Sequence, residues 1–313
     1  IKKHTFNLGD IFFIEKKEDE NLVRQLPEVN GAIVVLNPHN GDILALSGGI
    51  SFKLSEFNRA TQAKRQPGSA FKPFVYITAL KEGYNPSTLV LDAPYVVDQG
   101  PGLPKWKPAN YTEEFYGLNT MRTGIEKSRN LMTIRLADKI GMQKILSTSK
   151  DFKISKYIDE KLSMSLGSGL VTLVDITNAY GMIVNGGKNI KPTMIKSIYS
   201  KEGKKILHNE IKSCENCNLK SINVNYEMPK INTNQNSILD SRIAYQITSM
   251  LEGVVLRGTG RKLKDLKIPL AGKTGTTNDN KDAWFIGFSP DIVIGVYVGH
   301  DRPKSLGYKQ TGS

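Results

Sequence analysis

The sequence predicts an α+β fold, an antiparallel sheet flanked by helices, on three observations. Strand-like segments stand at both ends of the chain, apolar helical segments fill the middle, and no internal repeat or low-complexity stretch interrupts them. With 313 residues the chain can bury a full core, as one large domain or two small ones.

Taken in order, Ala32 to Leu36 and Ile43 to Leu46 read as a hairpin around the turn-forming Pro38-His39-Asn40-Gly41. Gln66-Pro67-Gly68 is turn-like, and Phe71 to Leu80 then reads as an apolar helix. Pro73 has no N–H and is tolerated only in a first turn, so this helix must start close to Ser69. Tyr84 to Phe115 is rich in Pro and Gly and is expected as a long ordered loop. Met121 to Lys127 and Leu131 to Ile140 read as helical, and helices follow to about Lys150. Leu173 to Val184 reads as a helix ended by Gly186-Gly187. Thr193 to Tyr199 and Lys205 to His208 suggest a second hairpin, and Ser241 to Leu256 a helix before Gly258. Leu270 to Thr277, Ala283 to Phe288 and Ile292 to Val298 read as a closing meander. His39 and His300 fall in turn-like positions, where solvation or capping fits better than catalysis or metal binding.

Net charge is +13, and the sequence pI is near 9.5. The lysines are scattered and do not interleave with aromatics, which argues against a nucleic-acid groove. No segment approaches a membrane span and no signal peptide is visible. Cys214 and Cys217 form a C-x-x-C within the polar stretch from Lys212 to Asn236. Zinc needs four ligands, and His208 is the only nearby third candidate, so a disulfide is the better expectation. No cofactor and no metal is expected.

Three short strings carry chemistry: Ser69-Ala70-Phe71-Lys72, Ser128-Arg129-Asn130 and Lys273-Thr274-Gly275. Each alone has a plain structural explanation, a helix cap for the first two and a Gly-bulged edge strand for the third. Ser147 and Lys150 also fit the first pattern, and Ser221-Ile222-Asn223 the second. In this order and spacing, however, the three form an acyl-transfer set. Ser69 sits at the start of a helix with Lys72 one turn on, so a hydroxyl nucleophile has a neighbouring base. That role requires Lys72 to be substantially neutral, to which burial and the nearby charge of Lys273 would contribute. Ser128 can pass a proton, and the Asn130 amide can donate and accept at once. Lys273 with its flanking hydroxyls makes a seat for a carboxylate, and Gly275 within a strand marks close approach of a ligand or another backbone.

With further strings in register, the chain resembles the transpeptidase domain of class A penicillin-binding proteins, particularly the 1A type. These strings include Asn37-Pro38-His39-Asn40-Gly41-Asp42, Phe57-Asn58-Arg59-Ala60, Trp106-Lys107-Pro108-Ala109-Asn110-Tyr111, Leu166-Gly167-Ser168, Arg257-Gly258-Thr259-Gly260 and Lys281-Asp282-Ala283-Trp284-Phe285-Ile286-Gly287. The resemblance implies the penicillin-binding-protein/β-lactamase-like fold over residues 29–313. It also implies that 1–28 is the tail of a small inserted, OB-like β-domain. It implies a serine D,D-transpeptidase that cross-links peptidoglycan stem peptides, from a D-Ala-D-Ala donor to an amine acceptor, and is acylated by β-lactams. Ser69 would be the nucleophile, Lys72 its base, Ser128 a proton relay and Asn130 a binder of the substrate amide. Lys273, Thr274, Gly275, Thr276 and Thr277 would recognise the substrate, and the backbone N–H groups of Ser69 and Thr276 would form the oxyanion hole. The first residue is Ile, so the resemblance places a membrane anchor and a glycosyltransferase domain before it, and a further helix after Ser313. The parent protein would sit at the periplasmic face of the bacterial inner membrane, with this piece soluble.

Other readings of the same chemistry are a D,D-carboxypeptidase, a β-lactamase and a non-catalytic β-lactam sensor. A class A β-lactamase uses a glutamate to activate the deacylating water. The one E-x-x-x-N near the motifs, Glu126 to Asn130, overlaps the second motif itself. A sensor should come with a membrane signalling segment, and none is seen in this sequence.

Overall fold

Alternation decides the central sheet. In β1 (Val29–Leu36) Ala32, Val34 and Leu36 are buried while Ile33 is exposed, so one face of the strand is committed to the core. The computed structural model describes residues 7–312 apart from 19, 26, 99, 103, 155, 210, 211, 216, 218–229, 234, 308 and 309. β1 is followed by β2 (Ile43–Ser47), and three strands near the other end complete the sheet: β3 (Ala271–Thr276), β4 (Asp282–Phe288) and β5 (Val293–His300). The spatial order is β3-β4-β5-β1-β2, antiparallel throughout. β5 pairs along all of β1, from Val293 opposite Leu36 to His300 opposite Val29, and this ladder joins the two ends of the sequence.

Helices cover the buried face. They are α1 (Lys72–Lys81), α2 (Met121–Glu126), α3 (Asn130–Ile140), α4 (Met142–Asp151), α5 (Leu173–Val184) and α6 (Ser241–Leu256). α1 is buried on every side from Lys72 to Leu80, as befits the central helix of the core. It packs against α3, α4 and α6, and the Phe74 ring meets Phe71 at a tilt and Phe152 and Tyr180 edge to face. α5 lies on β1 and β5, and α6 on β3. Side-chain caps start three of the helices: Thr120 for α2, Thr172 for α5 and Asp240 for α6.

Two expectations, for the Tyr84 to Phe115 loop and for His300, need correction. The Tyr84 to Phe115 loop contains a strand, Leu89–Asp92, which pairs with Gly117–Thr120. Its partner lies beyond the loop, so no local turn announces the pairing. Helices run to Asp151 as expected, with Gly141, at φ +91°, ending α3 before α4 begins. His300 is buried in the last residue of β5 rather than in a turn, and its carbonyl accepts from Arg65. The stretch Lys212 to Asn236 contains strands Lys212–Glu215 and Lys230–Thr233, paired with each other; residues 218–229, including the alternative Ser221-Ile222-Asn223, lie outside the described residues. Near the start, Phe13–Lys16 pairs with Asn21–Arg24 in a hairpin separate from the central sheet. No helix among the described residues is long and apolar enough to cross a membrane.

Candidate active site

The first motif lies in a tight turn. Gly68–Phe71 is a 3-10 turn in which the Lys72 N–H bonds the Ser69 carbonyl, and α1 continues with Pro73 in its first turn. Residues three apart eclipse in a 3-10 helix, so Ser69 and Lys72 share one edge. The turn is held by backbone from distant parts of the chain. Gly68 has φ +53°, and a Cβ there would lie 2.5 Å from the Thr276 carbonyl oxygen. Its N–H bonds the Gly167 carbonyl at 3.2 Å, and a Cβ on Gly167 would overlap the Gly68 backbone. From α5, the Tyr180 hydroxyl donates to the Ala70 carbonyl at 2.7 Å. Among the described residues the half-buried Ser69 hydroxyl has no hydrogen-bond partner.

Ser128 stands between α2 and α3 with φ +55°, its N–H bonded to Ile125 and that of Arg129 to Gly124. Lys72 Nζ reaches across to this junction: 2.6 Å to the Ser128 carbonyl, 2.7 Å to Asn130 Oδ1 and 3.2 Å to Ser128 Oγ. A neutral amine has two N–H groups and one lone pair. The two carbonyl-type oxygens can take both hydrogens, which leaves the lone pair for a hydroxyl proton. Lys273 Nζ approaches the same Ser128 Oγ at 2.9 Å, so this hydroxyl bridges two lysines.

The third motif lies on β3, at the edge of the sheet. The Thr277 N–H bonds the Asp282 carbonyl. Antiparallel alternation therefore turns the Thr276 N–H and C=O away from β4, to the free edge where the Ser69 turn lies. Gly275 is required by backbone: a Cβ there would overlap the Pro67 carbonyl and sit 3.2 Å from Ala70 Cβ. Thr274 Oγ1 is 2.7 Å from Thr259 Oγ1. Thr276 Oγ1 accepts from the Gly312 N–H at 3.3 Å. The hydroxyl of Thr277 accepts from the Asp282 N–H at 2.9 Å and so holds the turn into β4.

Lys72 and Lys273 are both fully buried. Burial holds Lys72 well below the usual lysine range, the charges of Lys273 and Arg129 push further in the same direction, and Asp92 opposes them. Burial brings Lys273 down to about 7.

The motifs alone do not announce the residues that orient Asn130. Its Nδ2 donates to the Ala109 carbonyl at 2.8 Å, which leaves Oδ1 facing Lys72. The Asn110 side chain caps α3 from outside, accepting from the N–H of Asn130 at 2.9 Å and of Leu131 at 3.3 Å. Its own Nδ2 donates to the buried Asp92 at 2.8 Å and to the Glu114 carbonyl at 2.9 Å. Arg129 lies 3.9 Å from Asp92 and stacks over Tyr116. Arg129, at the N-cap of α3, supplies no side-chain cap, so the cap comes from Asn110. Away from the cleft, Cys214 and Cys217 are exposed and disulfide-paired, with Cα atoms 5.7 Å apart.

A family profile described as "Penicillin binding protein transpeptidase domain" matches residues 31–313. The chain belongs to this family. The transpeptidase domain is 47% identical over 312 residues to penicillin-binding protein 1A of Rickettsia bellii, covering 99% of this chain and 39% of that protein. It is 47% identical over 314 residues to penicillin-binding protein 1A of Rickettsia typhi, covering 99% and 40%. The chain thus spans about two fifths of the length of these curated relatives. The crystal structure of penicillin-binding protein 1A from Haemophilus influenzae superposes with a TM-score of 0.82 at 28% identity, over 96% of this chain and 48% of that one. The expected fold, an antiparallel sheet with flanking helices, is therefore the fold of this family.

Proposed function

We propose that this domain is a serine D,D-transpeptidase that cross-links peptidoglycan stem peptides and is acylated by β-lactams. The observation that carries the reading is Lys72: a fully buried amine, depressed in pKa, bonded to Ser128 and Asn130 and one 3-10 turn from Ser69. Ser69 Oγ attacks the D-Ala-D-Ala carbonyl while its proton passes to neutral Lys72. The backbone N–H groups of Ser69 and Thr276 hold the oxyanion, and such donors contribute roughly 3–4 kcal/mol to a transition state. Collapse breaks the C–N bond, and the leaving D-Ala amine takes a proton delivered through the Ser128 hydroxyl. An acceptor amine then attacks the ester and loses its proton to the same base, the ester C–O bond breaks, and Lys72 returns the proton to the departing Ser69 oxygen. Asn130 binds the substrate amide, and Lys273 with Thr274 and Thr276 seats the terminal carboxylate.

A transpeptidase must keep its acyl group from water until the amine arrives. Glu126, the one glutamate in the hydrolase-like string, is occupied by Arg257 at 2.6 Å, which argues against a deacylating role. The parent protein is a longer, membrane-anchored enzyme at the periplasmic face of the inner membrane, with a glycosyltransferase domain ahead of this one. The resemblance to the 1A type and the short share of the relatives' length support that reading. Nitrocefin in excess tests the function: a burst of one equivalent followed by a near-flat line is expected. Sustained turnover in the usual enzyme range of roughly 1–10³ s⁻¹ would replace the transpeptidase with a β-lactamase.

A further inference from the structure

The turn after α6 is bolted to the end of α2. Glu126 is almost fully buried and accepts from Arg257 through both oxygens, at 2.6 and 3.2 Å. Lys127 Nζ donates to the Arg257 carbonyl at 2.6 Å, and the Thr259 N–H donates to the Glu126 carbonyl at 3.2 Å. Two glycines make the contact possible, because a Cβ on Gly253 would overlap the Glu126 carboxylate and one on Gly258 its carbonyl. The bolt fixes the half-buried Thr259 against β3, with its hydroxyl 2.7 Å from that of Thr274.

We propose that Thr259 is a specificity-determining residue that completes the carboxylate seat: its hydroxyl donates to Thr274 Oγ1, freeing the Thr274 proton for the ligand carboxylate. The inference rests on the reading of β3 as that seat. The hydrogen-bond directions support it. In its charged form, the form that seats a carboxylate, Lys273 Nζ approaches Thr274 Oγ1 at 3.5 Å as a donor only, so it cannot receive the Thr274 proton. In the free protein that proton can point to Thr259. A carboxylate accepts only, so when it binds, the Thr274 hydroxyl must turn outward. Thr259 is the neighbour able to reverse from acceptor to donor, and hydrogen bonds in such a chain polarise one another. Valine at this position would keep the shape and leave Thr274 without the donor.

The test compares acylation by benzylpenicillin and by its methyl ester in wild type, Thr259→Val, Thr259→Ser and Thr274→Val. With the acid, Thr259→Val is expected to lose about five- to tenfold, the worth of one net hydrogen bond. The loss should appear in the binding constant rather than in the acylation step and be far smaller with the ester, and Thr259→Ser should restore it. If Thr274→Val separates acid from ester while Thr259→Val does not, the inference about Thr259 fails alone. If neither variant separates them, the carboxylate-seat reading fails as well. Should Thr259→Val not fold, Thr259→Ala removes the same hydroxyl without added bulk and is read the same way.

Discussion

The cleft and the cysteine-bearing excursion, Ser197 to Thr233, are built on opposite plans. In the cleft, each motif is fixed by partners distant in sequence: the Ser69 turn by Gly167, Tyr180 and Thr276, and Ser128-Arg129-Asn130 by Lys72, Asn110 and Lys273. In the excursion the strand pairings among the described residues are between near neighbours in sequence. Ser197–Tyr199 pairs with Lys205–His208, and Lys212–Glu215 with Lys230–Thr233, leaving Ile198, Ile206 and Ile231 exposed. Non-local backbone contact leaves little room for movement, and a substitution there is felt across the cleft. Local pairing on the surface absorbs change.

The largest effect should come from Lys72→Ala. General bases contribute typically 10²–10⁴-fold, so β-lactam acylation, followed by stopped-flow fluorescence, should fall by about that factor. The pH profile carries the sign. Lys72 is depressed, so acylation in wild type should already be rising below the pH at which an ordinary lysine loses its proton, as Lys72 becomes neutral. Lys273 titrates at about 7, so affinity for carboxylate-bearing β-lactams should weaken above that pH as its charge is lost. An acylation rate unchanged in Lys72→Ala would put the base elsewhere.

Next comes Gly167→Ala, which strains a φ of +82° and drives a Cβ into the Gly68 backbone. Overpacking of this kind costs typically about 1–3 kcal/mol, read as a lowered denaturation midpoint, and acylation should fall with it. Full retention of both would mean that the Ser69 turn is not held as tightly as these contacts require.

Asn110→Ala should have a smaller effect on stability, about 0.5–2 kcal/mol for a lost cap. It should also slow acylation, because Asn130 loses its anchor and the buried Asp92 loses a donor. Unchanged acylation with lowered stability would make Asn110 a helix cap and nothing more.

Cys214→Ser should be the mildest. Closing so short a loop contributes about 2 kcal/mol at most in the chain-entropy model, and both cysteines lie on the surface of the excursion. Acylation kinetics should match wild type. A clear slowing would mean that the excursion and the cleft are coupled after all.

The same contrast explains what could be read from the sequence. α5 and α6 run over the expected residues, Leu173–Val184 and Ser241–Leu256, because apolar periodicity and local caps at Thr172 and Asp240 agree. The closing meander was legible from its apolar runs. The strand Leu89–Asp92 was not, since its partner comes after a long loop. Nor was the Asp92–Asn110–Asn130 chain, because a side chain capping a helix from twenty residues upstream leaves no local pattern. The three motifs showed which side chains to watch. The backbone contacts of Gly68, Gly167 and Gly275, which bring the first and third motifs against each other, are a property of the fold.

Intact-mass spectrometry of the domain with benzylpenicillin, followed by peptide mapping, tests the central claim most directly. One adduct should form, persist over minutes to hours, map to the peptide that carries Ser69, and be absent from Ser69→Ala. An adduct that survives in Ser69→Ala, or that maps to another peptide, would contradict the account.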